Sequence, residues 1–205
     1  MPAQFNGAFL AVAADFVGKY SPYQAIQIRP NPYGDGVFVA STDAGRLAFL
    51  AYDASGKATE QLVVLPTPEL LKNTRPLKSA QRWIEIDGPI ARCSKLTKAT
   101  SKTEEVAVSY STVEPPDLVG AMNKVATEWG KDLPHCVNAG NFNANFLSRA
   151  FRAIESLGGS ITMSHLNGGP LRVESTEHDV IVLVMPETAR PIPALPDFLH
   201  DFSVS

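Results

Sequence analysis

Gly36-Val37-Phe38-Val39-Ala40-Ser41-Thr42-Asp43-Ala44-Gly45-Arg46-Leu47-Ala48, continuing to Tyr52, is the stretch whose reading decides the fold. Val37–Ser41 and Arg46–Tyr52 are rich in β-branched, aromatic and other apolar residues and read as two strands. Thr42-Asp43-Ala44-Gly45 between them has the length and residue types of a hairpin turn. Upstream, Ala25–Arg29 alternates apolar and polar, and Asn31-Pro32-Tyr33-Gly34-Asp35-Gly36 is a turn cluster. Downstream, Asp53-Ala54-Ser55-Gly56-Lys57 is another turn and Gln61–Leu65 another strand. This half therefore holds four short strands joined by short connections.

A helix precedes these strands. Phe5, Phe9, Val12, Ala13, Phe16 and Val17 recur at helical spacing, Asn6 can cap the start, and Ser21-Pro22 ends it. After the strands, Thr67 and Pro68 mark an N-cap and first helical position, predicting a short helix over Pro68–Asn73. Strands are predicted at Trp83–Ile86, Ile90–Leu96 and Val106–Tyr110. Lys95–Glu105, rich in Lys, Thr and Ser, reads as a solvated, mobile loop.

Pro115-Pro116 is the best boundary. It predicts one unit over residues 1–114, a truncated second unit over 115–190 and an extended tail over 191–205. Asp117 can cap a helix with Leu118, Met122, Val125 and Trp129 inward and Gly130 at its end. His135–Ala139 reads as a short strand. Phe146, Leu147, Ala150, Phe151, Ile154 and Leu157 line one face of a further helix, which Gly158-Gly159 stops. Three strands follow, at Ser160–His165, Leu171–Ser175 and Val180–Met185. The tail holds Pro191, Pro193 and Pro196. Helix and strands recur in one order from Phe5, from Gln61 and from His135. Such repetition implies an α+β fold with helices packed on one face of antiparallel sheets.

Composition narrows the function classes. The chain has 205 residues, 44% hydrophobic and 19% charged, with a net charge of −3. A globular core is affordable at this length, and no apolar run reaches the ~18 residues of a membrane span. The first ten residues lack a basic flank, so a cytoplasmic protein is expected. The charge is not that of a protein coating nucleic acid, although a local basic surface is compatible with it. Cys93 and Cys136 lie far apart and read as buried, inert thiols. His135, His165, His178 and His200 are isolated in sequence. There is no G-x-G-x-x-G, P-loop or HExxH, so no metal, cofactor or catalytic motif is implied.

The quoted hairpin resembles the bacterial DNA polymerase III β sliding clamp family, in which a strand runs into A-T-D-G-H-R-L-A. Asp179-Val180-Ile181-Val182-Leu183-Val184-Met185-Pro186 is similar to that family's V-V-M-P-M-R-L ending. Phe142-Asn143-Ala144-Asn145-Phe146-Leu147 and the strands after it resemble the last helix and sheet of the clamp. The likeness covers most of the chain, as the clamp's last two domains. The family's Gly-His is Ala44-Gly45 here, Glu187-Thr188-Ala189 replaces the final Met-Arg-Leu, and the second unit is shortened. In this the chain resembles small clamp-like proteins of phage or prophage more than a chromosomal clamp.

The resemblance implies a non-enzymatic processivity factor for DNA replication. Helices line a ring that meets double-stranded DNA through loose phosphate contacts. The candidate DNA-facing residues are Lys19, Lys72, Lys124, Lys131, Arg149 and Arg152, with Arg75 near Lys72. The family also captures polymerase and loader peptides in an outer hydrophobic pocket. The matching positions are Thr42, Gly45, Arg46, Leu47, Pro66, Leu70, Leu183, Met185 and Pro186. Leu47 and Leu183 read equally well as core, whereas Arg46 suggests a rim. A ring of six similar domains implies a homo-oligomer of about three such chains. Leu195, Phe198 and Leu199 in the tail resemble a clamp-binding peptide that folds back into the pocket, or else they cover a sheet edge. Two other readings remain open: a ring-less clamp-fold adaptor or inhibitor of a replication protein, and an α+β enzyme without a motif.

Overall fold

The computed structural model describes residues 3–32, 34–77, 79–98, 100–121, 141–165 and 169–187. The chain begins β1 (Ala3–Asn6), α1 (Gly7–Ala13), β2 (Ile26–Pro30), β3 (Val37–Thr42), β4 (Leu47–Asp53). It repeats that order as β5 (Leu62–Leu65), α2 (Pro68–Thr74), β6 (Gln81–Asp87), β7 (Ile90–Leu96), β8 (Ser101–Ala107). A short β9 (Ser109–Tyr110) follows, and then α3 (Ala144–Leu157), β10 (Ile161–His165), β11 (Leu171–Ser175) and β12 (Val180–Val184). The expected strand at His135–Ala139, most of the helix from Asp117, and the tail over 191–205 lie outside the described residues.

The two complete units exchange their first strands. β1 pairs antiparallel with β6, giving the sheet β1-β6-β7-β8, while β5 pairs with β2. The second sheet runs β10-β11-β12-β4-β3-β2-β5-β9 and so passes through the boundary expected at Pro115-Pro116. Its junction is β12 against β4, with Val182 opposite Phe49.

Period-two burial along these strands explains the layering. Val37 and Val39 of β3, Leu47 and Phe49 of β4, and Val182 and Val184 of β12 all turn to one face and are buried. α1 packs there on β3, β4 and β6, α2 on β6, β7 and β8, and α3 on β11 and β12. Phe16 and Phe49 stack with ring centroids 5.3 Å apart, beside fully buried Phe5, Leu10, Ile28, Leu70, Ile84 and Ile154. Ser41, buried in this layer, donates from Oγ to the Ala13 carbonyl at 2.6 Å, which satisfies a helix-end acceptor.

The other face of the long sheet carries Phe38, Ala40, Ala48, Leu50, Ile181 and Leu183. Residues 115–121 cross it. Asp117 caps the helical residues 118–121 by accepting from Gly120 N at 2.9 Å, and Leu118 and Val119 bury themselves on Leu50 and Leu183. Arg29 holds Asp117 at 2.8 Å, and Gln27 donates to the Pro116 carbonyl. This helix therefore starts on the face opposite α1, α2 and α3.

Two local expectations change. Phe5 belongs to β1, not to a helix, because Phe5 pairs with Ile84 across the sheet. The helix starts one residue after Asn6, whose side chain accepts from Ala8 N at 3.1 Å. The segment expected as a loop over Lys95–Glu105 is largely strand, since β8 pairs with β7 from Leu96↔Ser101 to Ile90↔Ala107. Its polar side chains are exposed on a sheet edge, and the connection is only Thr97–Thr100.

Candidate functional site

The helical layer holds a cleft of about 570 Å³ where α1, α2 and α3 converge. Val12 lines it from α1 and Asp15 from the 3-10 turn Ala14–Phe16 that follows, Lys72 from α2 and Arg75 from its C-cap, Arg152 and Ser156 from α3. Thr67 accepts from Leu70 N at 3.3 Å and Pro68 opens the helix, which sets Lys72 on the exposed face of α2 while Leu70 is fully buried. Arg75 ends α2, its backbone N–H bonded to the Leu71 carbonyl. Arg152 is exposed one position before buried Ala153 and Ile154.

Three cations thus share one cleft with one carboxylate. Burial in the cleft raises the Asp15 pKa, against the opposing pull of Arg149 and Arg75. The described helical layer, with its flanking residues, carries Lys19, Lys72, Arg75, Arg149 and Arg152 against Asp15, Glu69 and Glu155, in a chain whose net charge is −3. The layer is thus the positive side of an acidic chain.

Of the expected DNA-facing residues, Lys72 and Arg152 come together here. Lys19 is exposed beyond the end of the first helix and does not line the cleft. Lys124 and Lys131 lie outside the described residues. Arg149 is engaged elsewhere, on Asp43 at 3.9 Å and over the Phe16 ring at 5.6 Å. Arg75 is the cleft residue that motif matching leaves outside the candidate set. Its signal in the sequence is position alone, a cation between the helix and Pro76.

The second candidate site lies at the β4–β12 seam. Asp43 Oδ1 accepts from Arg46 N and Leu47 N at 3.1 and 2.8 Å, folding the turn back on itself. Thr42 Oγ1, buried, donates to the Leu47 carbonyl at 2.7 Å. Gly45 adopts φ 98°, and Ala44 adopts φ 80° where an L side chain is strained. Met185 N then donates to the Arg46 carbonyl at 2.9 Å, which sets the Met185-Pro186 end against the turn. Glu187 closes the seam on the start of α3, its N–H donating to the Asn141 carbonyl at 2.7 Å and its carboxylate accepting from Asn143 Nδ2 at 3.0 Å.

Gly45, Arg46, Met185 and Pro186 therefore meet at one accessible edge, with Met185 41% exposed. Leu183 lies on the same face but is covered by Leu118 and Val119. Leu47 and Leu70 point into the main core, at 1% and 0% exposure, and Thr42 is buried in its turn. Pro66 follows β5, four strand spacings of roughly 4.8 Å from β12, or about 19 Å away. The structure thus gathers part of the expected pocket, buries Thr42, Leu47, Leu70 and Leu183, and leaves Pro66 apart.

Among the described residues no three His, Cys, Asp or Glu side chains gather as a metal site would need. No described helix is long and apolar enough to cross a membrane. Burial pushes the Cys93 thiol up to about 11, so it stays protonated at neutral pH.

Repeated strand–helix–three-strand units, sharing sheets and presenting α1, α2 and α3 on one side, define a DNA-clamp architecture. The fold is that of the bacterial DNA polymerase III β sliding clamps. The chain is similar to the β subunit from Borrelia burgdorferi, with a TM-score of 0.61 and 10% identity over 93% of this chain and 63% of that one. It is similar to the sliding clamp from Pseudomonas aeruginosa, with a TM-score of 0.57 and 13% identity over 92% and 67%. The Caulobacter crescentus β sliding clamp gives a TM-score of 0.51 and 12% identity over 98% and 67%. The chain spans about two thirds of the length of these clamps. At such identities the likeness is one of fold. No family model matches the sequence, and no curated protein matches it.

Proposed function

We propose that the chain is a non-enzymatic, clamp-like replication factor that works as a homo-oligomer and holds duplex DNA through its helical layer. The observation that carries this reading is the cleft where Lys72, Arg75 and Arg152 converge from two helices beside Asp15. These side chains reach from different elements onto one surface. They suit phosphates, and their binding is sequence-independent and salt-sensitive. The seam of Gly45, Arg46, Met185 and Pro186 is the tethering point for an extended peptide of a polymerase or another replication protein. Met adapts to irregular apolar partners, and Arg46 at the rim supplies a charge-assisted donor.

The test is retention on duplex DNA as a function of salt. Lys72→Glu, Arg75→Glu and Arg152→Glu combined are expected to abolish retention and flatten the salt dependence. Each phosphate contact removed lowers the slope by about 0.9. An unchanged slope in the folded triple variant overturns the DNA reading and leaves the ring-less adaptor. Longer retention on closed circular than on linear DNA distinguishes encirclement from surface contact.

A further inference from the structure

The ladder between β4 and β12 ends with Val184 opposite Leu47. Beyond that pair both chains leave the sheet, and each half of the seam is fastened to α3 or to the residues that lead into it. The turn half hangs on Asp43. Its Oδ1 accepts from Arg46 N and Leu47 N, and its Oδ2 faces Arg149 Nη1 of α3 at 3.9 Å. The Arg149 guanidinium lies over the Phe16 ring at 5.6 Å, so it meets Asp43 from a fixed place. That support matters because Ala44 and Gly45 both hold positive φ, and a strained turn keeps its shape only where its surroundings over-determine it.

The strand half is fastened at the other end of the same stretch of helix. Glu187 follows Met185 and Pro186. Its N–H donates to the Asn141 carbonyl at 2.7 Å, and its Oε1 accepts from Asn143 Nδ2 at 3.0 Å. Asn143 Oδ1 meanwhile accepts from Asn145 N at 3.0 Å and caps α3. One amide thus starts the helix and grips the end of the seam. A rise of roughly 1.5 Å per residue puts Arg149 about 9 Å further along the axis. The Met185 N–H on the Arg46 carbonyl then joins the two halves.

We propose that Asn143 and Arg149 are positioning residues of the seam. Acting through Glu187 and Asp43, they set the place and direction in which Met185 and Arg46 are offered to a peptide. They are not part of the edge itself. An extended peptide has to put an apolar side chain on Met185 and an acceptor on Arg46 at one spacing, and a rigid helix bonded to both halves holds that spacing before the peptide arrives. This positioning rests on the tethering reading of the seam.

The direction of the Asn143–Glu187 bond supplies the test. Asn143→Asp keeps the cap, because aspartate accepts from Asn145 N as asparagine does, but it sets a carboxylate against that of Glu187. Adding Glu187→Gln turns the bond round, the new amide donating to the new carboxylate, with the net charge of the wild type. The full chain is measured in three ways: hydrogen exchange at the Met185 amide without peptide, anisotropy of a fluorescein-labelled peptide with a leucine pair beside an aspartate, and urea unfolding. Asn143→Asp is expected to speed exchange at Met185 about fivefold with the urea midpoint unchanged. It is expected to weaken the peptide about fivefold, and the double variant to restore both readings to within about twofold. Arg149→Ala is expected to speed exchange at Leu47, which Asp43 holds, more than at Leu183 within the ladder. Unchanged exchange at Met185, a double variant no better than the single, equal acceleration at Leu47 and Leu183, or faster exchange with peptide affinity unchanged overturns the proposal. Wild-type peptide binding that Met185→Lys leaves intact overturns the tethering reading instead, while exchange without peptide still decides whether α3 sets the seam.

Discussion

Arg149 Nη1 lies 3.9 Å from Asp43 Oδ2, and this pair joins α3 to the turn between β3 and β4. The same guanidinium sits 5.6 Å from the centre of the Phe16 ring, so one side chain touches a helix end, a hairpin turn and the edge of the core. Arg152, three residues on, faces the open cleft. Less than a helical turn thus separates a cation engaged in packing from one presented to solvent.

Arg149→Ala is accordingly expected to act on stability and not on DNA. A part-exposed ion pair and a cation–π contact are each worth about 0.5–1 kcal/mol, so a loss of about 1–2 kcal/mol is expected. Urea unfolding measures it. The salt slope of DNA retention is expected to stay at the wild-type value, and a drop of about one unit would place Arg149 on the DNA after all.

Asp15→Asn is expected to strengthen both folding and DNA retention at neutral pH. Burial holds the Asp15 pKa above its unfolded value, so the ionised form is the less favourable one in the folded chain. Stability from this group is complete below the unfolded pKa of 3.8 and is lost as pH rises through the folded value. The amide removes that loss and one negative charge from a cationic cleft. Thermal unfolding at pH 7 and at pH 3 checks the sign. The gain should be present at the first and vanish at the second.

Much of this fold is legible in local sequence, because turns and caps are local devices. Asn6 and Thr67 cap the helices they were expected to cap, and Thr42–Gly45 makes the expected turn. What local reading misses is decided by distant partners. Phe5 has helical spacing to Phe9, yet Ile84 draws it into a strand. Ser101–Ala107 has the composition of a loop, yet β7 gives it a ladder. The seam was half legible for the same reason. Arg46 and Met185 meet because β12 pairs with β4, but which leucines of the matching set stay accessible depends on burial that no motif records.

Cys93 is expected to resist alkylation in the native chain. Its thiol is buried and its pKa stands at about 11, so little thiolate exists at pH 8. Mass spectrometry of the peptide after iodoacetamide should find Cys93 unmodified in buffer and modified in urea. The same shift has a consequence for stability. The unfolded thiol ionises from about pH 9 while the folded one holds its proton to about 11, so stability falls with rising pH across that interval. Cys93→Ala is expected to remove this part of the alkaline decline.

Peptide capture at the seam separates rim from core. Met185→Lys is expected to weaken binding of a clamp-binding peptide at least about tenfold, the equivalent of roughly 1.4 kcal/mol, with unfolding unchanged. Met185 is 41% exposed and makes no part of the buried core, so a charge there meets solvent in the free chain and an apolar peptide in the complex. Leu47→Ala has the opposite profile. Leu47 is 1% exposed among core residues, and its truncation is expected to cost about 2–5 kcal/mol of stability. Any effect of Leu47→Ala on peptide binding should then disappear under conditions where the chain stays folded. Fluorescence anisotropy with a labelled peptide, read beside urea unfolding, gives both quantities. Equal loss of binding in the two folded variants would move the tethering point off the seam and into a pocket that opens to Leu47.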